Sequence, residues 1–389
     1  MAKDKVQGSG DQAPKGSGGL AATKAGEHKA GSGMGRERLL MVAVPLVSVL
    51  LALVVGGIII ACLGRNPIQG YALLFSGSLG TPQKIASSLV SACPLIFTSL
   101  CAVFAYRCGV FNLGGEGQFI MGAVAAIVTV LVTGAQGVAG IVLAIAVGAL
   151  AGAVWGAIPG VMKIGRGLNE MITSIMLNYV ATLFMGYIYT SPFRDGGNPQ
   201  TPSVADSLML PKIPGFRMHV GVILAIVLAL VVAYVIKKTS FGFKVRAVGL
   251  NPLAARVNGF PVKRLVMLSF VISGAIAGMG GAVELLGKQY RLMSGFGAGF
   301  GFDGVAIALI AQLNPIASLL VAIFFGILQT GASSMQVGIT VPTAIVDIIR
   351  ALIIIFSVAG VAMLRLPEFK QLLAQLGAGK KVSNAEVSA

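Results

Sequence analysis

An all-α, polytopic membrane protein of about eight to ten transmembrane helices, some broken or re-entrant, is predicted by three features of this chain. Of its 389 residues, 56% are hydrophobic and 11% charged, whereas soluble domains carry about a quarter charged residues. The apolar residues fall in long runs that approach or exceed the roughly 20 needed to cross a bilayer. The 29 lysines and arginines, against 13 acids, collect between and beyond those runs.

In chain order, residues 1–38 read as a disordered cytoplasmic tail, because Gly, Ser, Lys and Ala leave little to bury. The tail is too long and too mixed in charge for the leading region of a signal peptide, so the first span is expected to be a retained anchor. Apolar runs follow at 39–63, 83–107, 118–134, 139–162, 169–190, 219–236, 265–286, 303–330 and 344–364. Ile59-Ile60-Ala61-Cys62 matches a lipoprotein cleavage box, but it ends a full-length span far from the N-terminus and is read as coincidence.

Starting inside, six crossings bring Lys237 back to the cytoplasm, where the positive-inside rule places the basic loop 237–264. The loop 191–217, with five prolines, then lies outside. Asn314-Pro315 interrupts the run 303–330, since an internal proline removes a hydrogen bond and clashes with the preceding turn. This run is read as a half-helix entering from outside, followed by a second segment. The membrane domain is 39–364, and 365–389 is a cytoplasmic tail. Gly140, Ala144, Gly148, Gly152, Gly156 and Gly160 form a period-four ladder of small residues, repeated by Gly274 and Gly278. Such ladders let helix backbones approach closely, and packing within one subunit is the favoured reading over a dimer seam.

The loop 237–264 carries seven of the 29 basic residues and no acid. Inside it a short helix has its start and stop written out. Asn251 can cap the first free N–H groups, Pro252 fits the first helical position, and Gly259 supplies a left-handed end. Ala254 and Ala255 leave one side of this helix almost bare. A small capped knob on the basic side of a membrane protein is suited to docking into another protein.

Polar residues inside a bilayer are expensive and mark pathways or packing devices. One cluster is Asn112, Glu116 and Gln118 among three glycines, an irregular backbone tolerated at depth only beside a cavity or within protein. A second is Asn169 and Glu170, with Thr173, Asn178 and Tyr179 on the following helix. The third runs from Gly299 through Asp303 to Gln312 and Asn314. For any single residue packing and pathway are equally good readings. The first and third clusters together favour a pathway, because interrupted segments in two halves point to a transport route.

Several classes are excluded. There is no GxxxxGK[ST] phosphate loop and no Ser-His-Asp or Cys-His set, so no catalytic residue is assigned. With two histidines, His28 and His219, no metal site is expected, and Cys62, Cys93, Cys101 and Cys108 read as small buried residues. No stretch could fold into a soluble basic face for nucleic acid.

With these residues laid out, the chain resembles the permease subunits of bacterial ABC importers, specifically the branched-chain-permease-like group serving nucleosides and simple sugars. The resemblance covers residues 40–365. It rests on Gly109–Gln118, on Asn169-Glu170-Met171-Ile172 through Met176-Leu177-Asn178-Tyr179, on Arg246–Pro252 with Ala254, Ala255 and Gly259, and on Gly301–Ala306. The stretch Asn112–Gln118 is closer to the nucleoside group than to sugar-transporting relatives, which usually have an Asp-Leu-Ser type sequence there. Ala311-Gln312 departs from the Gly-Arg or similar pair common in the nucleoside group.

The resemblance implies a multi-pass protein of the bacterial plasma membrane with its N-terminus cytoplasmic. It implies a coupling role for Arg246, Asn251, Ala254, Ala255, Arg256 and Gly259 against separate ATPase subunits that bind the ATP, with no cofactor in this chain. It also implies a second permease subunit, identical or related, and an extracytoplasmic substrate-binding protein. Asn112, Glu116, Gln118, Asn169, Glu170, Asn178, Asp303, Gln312 and Asn314 are the candidates for the substrate path. The alternatives are a ribose-type sugar permease and, further off, a stand-alone secondary transporter or channel.

Overall fold

The computed structural model describes residues 46–363, and the two expected tails, 1–38 and 365–389, lie outside the described residues. Within them the chain is helical apart from loops and three isolated β-bridges. Among the described residues, seven helices are long and apolar enough to cross a membrane, or eight if one sharply bent pair is a single span. Eight is the low end of the expected eight to ten.

The bent pair is α1, Leu46–Cys62, and α2, Pro67–Leu79, joined at 119°. Helix α2 was not expected. Gly70, Gly77 and three polar side chains, Gln69, Ser76 and Ser78, dilute its apolar character. Its start is nonetheless explicit, since Asn66 Oδ1 accepts the Ile68 N–H at 2.9 Å ahead of Pro67. The turn between the pair also corrects the reading of Cys62, which is exposed, while Cys93, Cys101 and Cys108 are buried.

Helix α3, Pro82–Arg107, is the central and most buried span. Against it pack α4, Gly115–Thr133, and α7, Gly221–Lys238, while α5, Gly137–Arg166, and α6, Glu170–Thr190, pack on α4 from farther out. The basic loop holds two helices instead of one: α8, Ser240–Leu250, and α9, Pro252–Val257. Thr239 caps α8 by accepting the Gly242 N–H at 3.0 Å, a start not expected from the sequence. Helix α10, Val262–Glu284, ends in a π turn, Leu285–Gln289.

The run expected at 303–330 is two elements. Helix α11, Phe300–Ile310, is too short to span, and α12, Pro315–Ile339, is a full-length span. Asn314-Pro315 therefore starts a helix instead of kinking one: Asn314 Oδ1 accepts the Ile316 N–H at 3.2 Å. Two successive left-handed residues, Gln312 at φ 52° and Leu313 at φ 58°, make the reversal. Helix α13, Ala344–Met363, packs on α11 and α12.

The small-residue ladder lies inside the subunit. Gly148, Gly152 and Gly156 of α5 face Gly274 and Gly278 of α10, and Gly122 of α4 meets Gly278 from a second side. Three helices thus converge at backbone contact distance. Gly160 packs on Phe270, so the ladder sets α5 antiparallel to α10 from Gly148 to Gly160, while Gly140 packs on Leu208 of the loop before α7.

Candidate functional site

The first and third polar clusters meet where the start of α4 crosses the start of α11. The start of α11 has no room for a side chain at Gly301, because a Cβ there would strike the Glu116 backbone. Glu116 reaches across to accept the Gly299 N–H with Oε2 at 3.1 Å. One turn further along α11, Asp303 pairs with Arg350 of α13, Oδ2 to Nη1 at 3.2 Å, and Arg350 also holds Asp347. The Glu116 and Asp303 carboxylates are near enough to repel each other. Phe302 stands beside them 46% exposed. An acid pair next to an open aromatic face can accept hydrogen bonds from hydroxyls and stack a planar ring.

Asn112, Gln118 and Asn178 are placed differently, with 0%, 1% and 5% of their surfaces exposed. Asn112 and Gln118 exchange amide hydrogen bonds, Nδ2 to Oε1 at 3.0 Å and Nε2 to Oδ1 at 3.1 Å. Asn112 also donates to Ser273 Oγ at 2.9 Å and accepts the Gly114 N–H at 3.0 Å. Asn178 of α6 accepts the Gly117 N–H at 2.8 Å and donates to the Leu113 carbonyl at 2.9 Å. The glycine-rich segment is irregular backbone at membrane depth, and these amides satisfy it from within the chain. They hold the loop that aims Glu116.

Asn169 and Glu170 sit apart, at the turn from α5 to α6. Asn169 caps α6 through the Met171 N–H at 2.9 Å. Glu170 pairs with Lys163 across the turn. Thr173 bonds back to the Asn169 and Glu170 carbonyls, and Tyr179 faces outward, 65% exposed. Gln312 and Asn314 lie at the reversal before α12. There Arg107, at the end of α3, donates Nε to the Leu313 carbonyl at 2.8 Å and Nη2 to the Gln312 carbonyl at 3.5 Å. Arg107 and Arg350 organise both halves of the site, yet no motif singled them out. Each is a cation near the end of an apolar run, a pattern that topology alone accounts for.

The docking knob has the expected local form. Asn251 Oδ1 accepts the N–H groups of Leu253 and Ala254, both at 3.0 Å, and Gly259 has φ 75°. Of the two alanines, only Ala254 is exposed, and Ala255 is buried in a cluster of the chain's own that includes Val248, Leu265 and Phe270. The outward surface is instead Leu250, Leu253 and Val257, 87%, 71% and 82% exposed. Beside it a surface cavity of about 610 Å³ is lined by Leu253, Arg256, Phe260, Lys263 and Arg264. Arg246 bonds its own helix at the Gly242 carbonyl, 3.4 Å. Gly249 of α8 presses on Gly109 and on the Arg107 backbone, so the knob's platform touches the same arginine that grips the α11–α12 reversal.

Residues 84–358 match the family described as "Branched-chain amino acid transport system / permease component". The chain belongs to this permease family. The guanosine ABC transporter permease protein of Bacillus subtilis (strain 168) is 34% identical over 333 residues, covering 84% of this chain and 96% of its own. The nucleoside ABC transporter permease protein NupB of Lactococcus lactis subsp. cremoris is 34% identical over 358 residues, covering 88% and 98%. The glucose ABC transporter permease protein of Haloferax volcanii is 33% identical over 327 residues, covering 81% and 86%. This permease is accordingly a multi-pass transport subunit and not an enzyme. Its general partners are an ABC-type ATPase and a substrate-binding protein.

Proposed function

We propose that this permease forms the translocation path of an ATP-driven nucleoside importer in a bacterial plasma membrane. The observation that carries the reading is the 34% identity to guanosine and nucleoside permeases over 96% and 98% of their lengths. In this reading the basic loop and the N-terminus are cytoplasmic, which the distribution of lysines and arginines supports. Two permease subunits, identical or related, pair with two ATPase subunits that bind the ATP, and a binding protein delivers substrate to the opposite face.

Helix α9 is the coupling element, with Leu253 and Val257, joined by Leu250 at the end of α8, as its apolar contact and Arg256 as its charged one. Closure of the ATPases pushes α9 and α8, and Gly249 passes the displacement to Arg107 and the α11–α12 reversal. The path follows the α4–α11 crossing. Glu116 and Asp303 accept ribose hydroxyls and Phe302 offers a face to the base. Asn112, Gln118 and Asn178 act from behind as its frame, and Asn169, Glu170, Gln312 and Asn314 stand where the path opens toward the basic end.

The test is reconstitution with the cognate ATPase and binding protein in proteoliposomes. Nucleosides are expected to stimulate ATP hydrolysis and to be taken up, and Arg256→Glu is expected to uncouple the two. A sugar permease is the second reading, favoured by the 33% identity to the glucose permease. Uptake of ribose or glucose with no nucleoside uptake would establish it. Transport that persists without ATPase subunits would instead establish a secondary transporter.

A further inference from the structure

Residues 211–220 form a small hairpin at the end of the molecule away from the basic loop. It is closed by the Ile213 N–H to the Met218 carbonyl at 2.9 Å and the Val220 N–H to the Pro211 carbonyl at 3.0 Å. Its tip, residues 214–217, is open to solvent, and so is Lys212 opposite His219. His219 at its base points inward, with 2% of its surface exposed and neither Nδ1 nor Nε2 partnered. The ring is clasped between two glycines: a Cβ on Gly221 would lie 2.7 Å from Nδ1, and one on Gly287 2.8 Å from Nε2. Gly287 belongs to the π turn, a form that recurs at functional sites. The same turn anchors the preceding loop, since the Leu210 N–H donates to the Leu286 carbonyl at 2.9 Å and the Val204 N–H to Tyr290 at 2.8 Å.

An aromatic ring without nitrogens would fill this slot without leaving buried polar atoms unmet. The imidazole therefore weakens the seated state and makes seating depend on its proton. The charged and titratable groups around it are Lys212 on the hairpin, Lys288 and Glu284 from the π turn and the end of α10, and Cys93 of α3. Lys212 and Lys288 both oppose a positive ring. Glu284 faces Lys288 at 3.9 Å, and no ion pair joins it to His219. Cys93 is engaged with the Gly221 carbonyl at 3.5 Å.

We propose that His219 is a pH-sensitive latch: neutral, it seats the 211–220 hairpin on the π turn, and its protonation releases the hairpin. Burial, with Lys288 and Lys212 nearby, holds the seated imidazole down at about 4. The sign follows from that depression. Above the ordinary histidine range both states are neutral and seating is unaffected. As pH falls through that range the released state takes the proton first, and seating weakens until the seated ring titrates too. Linkage between about 6.5 and about 4 gives a rise in hairpin opening of about 4-fold at pH 6 and about 30-fold at pH 5, relative to pH 8.

Hydrogen–deuterium exchange of the full chain in nanodiscs, corrected for intrinsic chemical rates, reads the opening directly at the Ile213 and Val220 amides. The wild type is expected to show that rise, with residues 148–156 of α5 unchanged as the reference. His219→Phe and His219→Met are both expected to abolish the pH dependence, whatever level of exchange each shows. A flat wild-type profile, a rise shared by 148–156, or the same acid-induced rise in either variant overturns the latch.

Discussion

Gly152 and Gly278 meet backbone to backbone. A Cβ on Gly152 would lie 2.7 Å from the Gly278 Cα, and one on Gly278 would lie 2.8 Å from the Gly152 Cα. In a bilayer, where lipid is as apolar as leucine, helix association depends on such close packing. Both obstructing atoms are backbone, so relief requires the helices to separate. Gly152→Ala is expected to cost about 1–3 kcal/mol and Gly152→Leu to prevent recovery of monodisperse protein. Thermal unfolding in detergent and size-exclusion chromatography measure the two outcomes. An unchanged melting temperature for Gly152→Ala would refute the contact.

The amide pair Asn112–Gln118 predicts a structural effect rather than a binding effect. Asn112→Ala leaves Gln118 and the Gly114 N–H without their partner, at about 1–3 kcal/mol for a buried unmet group. Thermal stability should fall while the apparent affinity of the surviving transporter for substrate stays within about twofold of wild type. A large change in apparent affinity at unchanged stability would make Asn112 a substrate contact.

The pair Asp303–Arg350 ties α11 to α13 through largely buried side chains, 28% and 15% exposed. Arg350→Leu alone strands Asp303 at membrane depth, and breaking a buried pair costs about 3–5 kcal/mol, less here because Asp303 keeps some solvent. Adding Asp303→Asn is expected to recover most of that loss. A double-mutant cycle on melting temperature checks it, and additive losses would mean that the two side chains act independently.

Gly249 predicts a coupling defect. Any side chain here meets the Arg107 backbone and Gly109, so α8 and α9 must shift together while the α5–α10 core is untouched. Gly249→Ala is expected to lower substrate-stimulated ATP hydrolysis on the order of tenfold or more, the scale on which small misplacements act, with melting temperature within a few degrees of wild type. Normal stimulation would remove Gly249 from the route between α9 and Arg107.

The helices legible in sequence were those where one physical signal dominated. Long apolar runs gave the spans, and Asn251-Pro252 with Gly259 gave α9, because capping is a local transaction among neighbouring residues. Helix α2 escaped because its glycines serve packing against α12, an advantage no window of its own composition records. Helix α8 escaped because its apolar face answers to α3 and α10, not to a bilayer. The polar clusters were found, since charge and amide groups in apolar surroundings are conspicuous, but their roles were not separable. Asn112 and Glu116 are four residues apart in one motif, and only the fold turns one inward and the other toward Asp303.

The sequence by itself determined that this chain crosses a membrane many times, where its basic loop lies relative to the spans, and that a capped knob projects from that loop. Those properties follow from composition, spacing and nearest-neighbour hydrogen bonding. Tertiary structure alone decided that the small-residue ladder seals α5 to α10 and that Ala255 is buried while Leu253 and Val257 project. It also decided that Arg107 and Arg350 organise the site and that His219 is locked between two glycines. Each of these is a contact between residues distant in the chain, and its partner is set by how the helices cross.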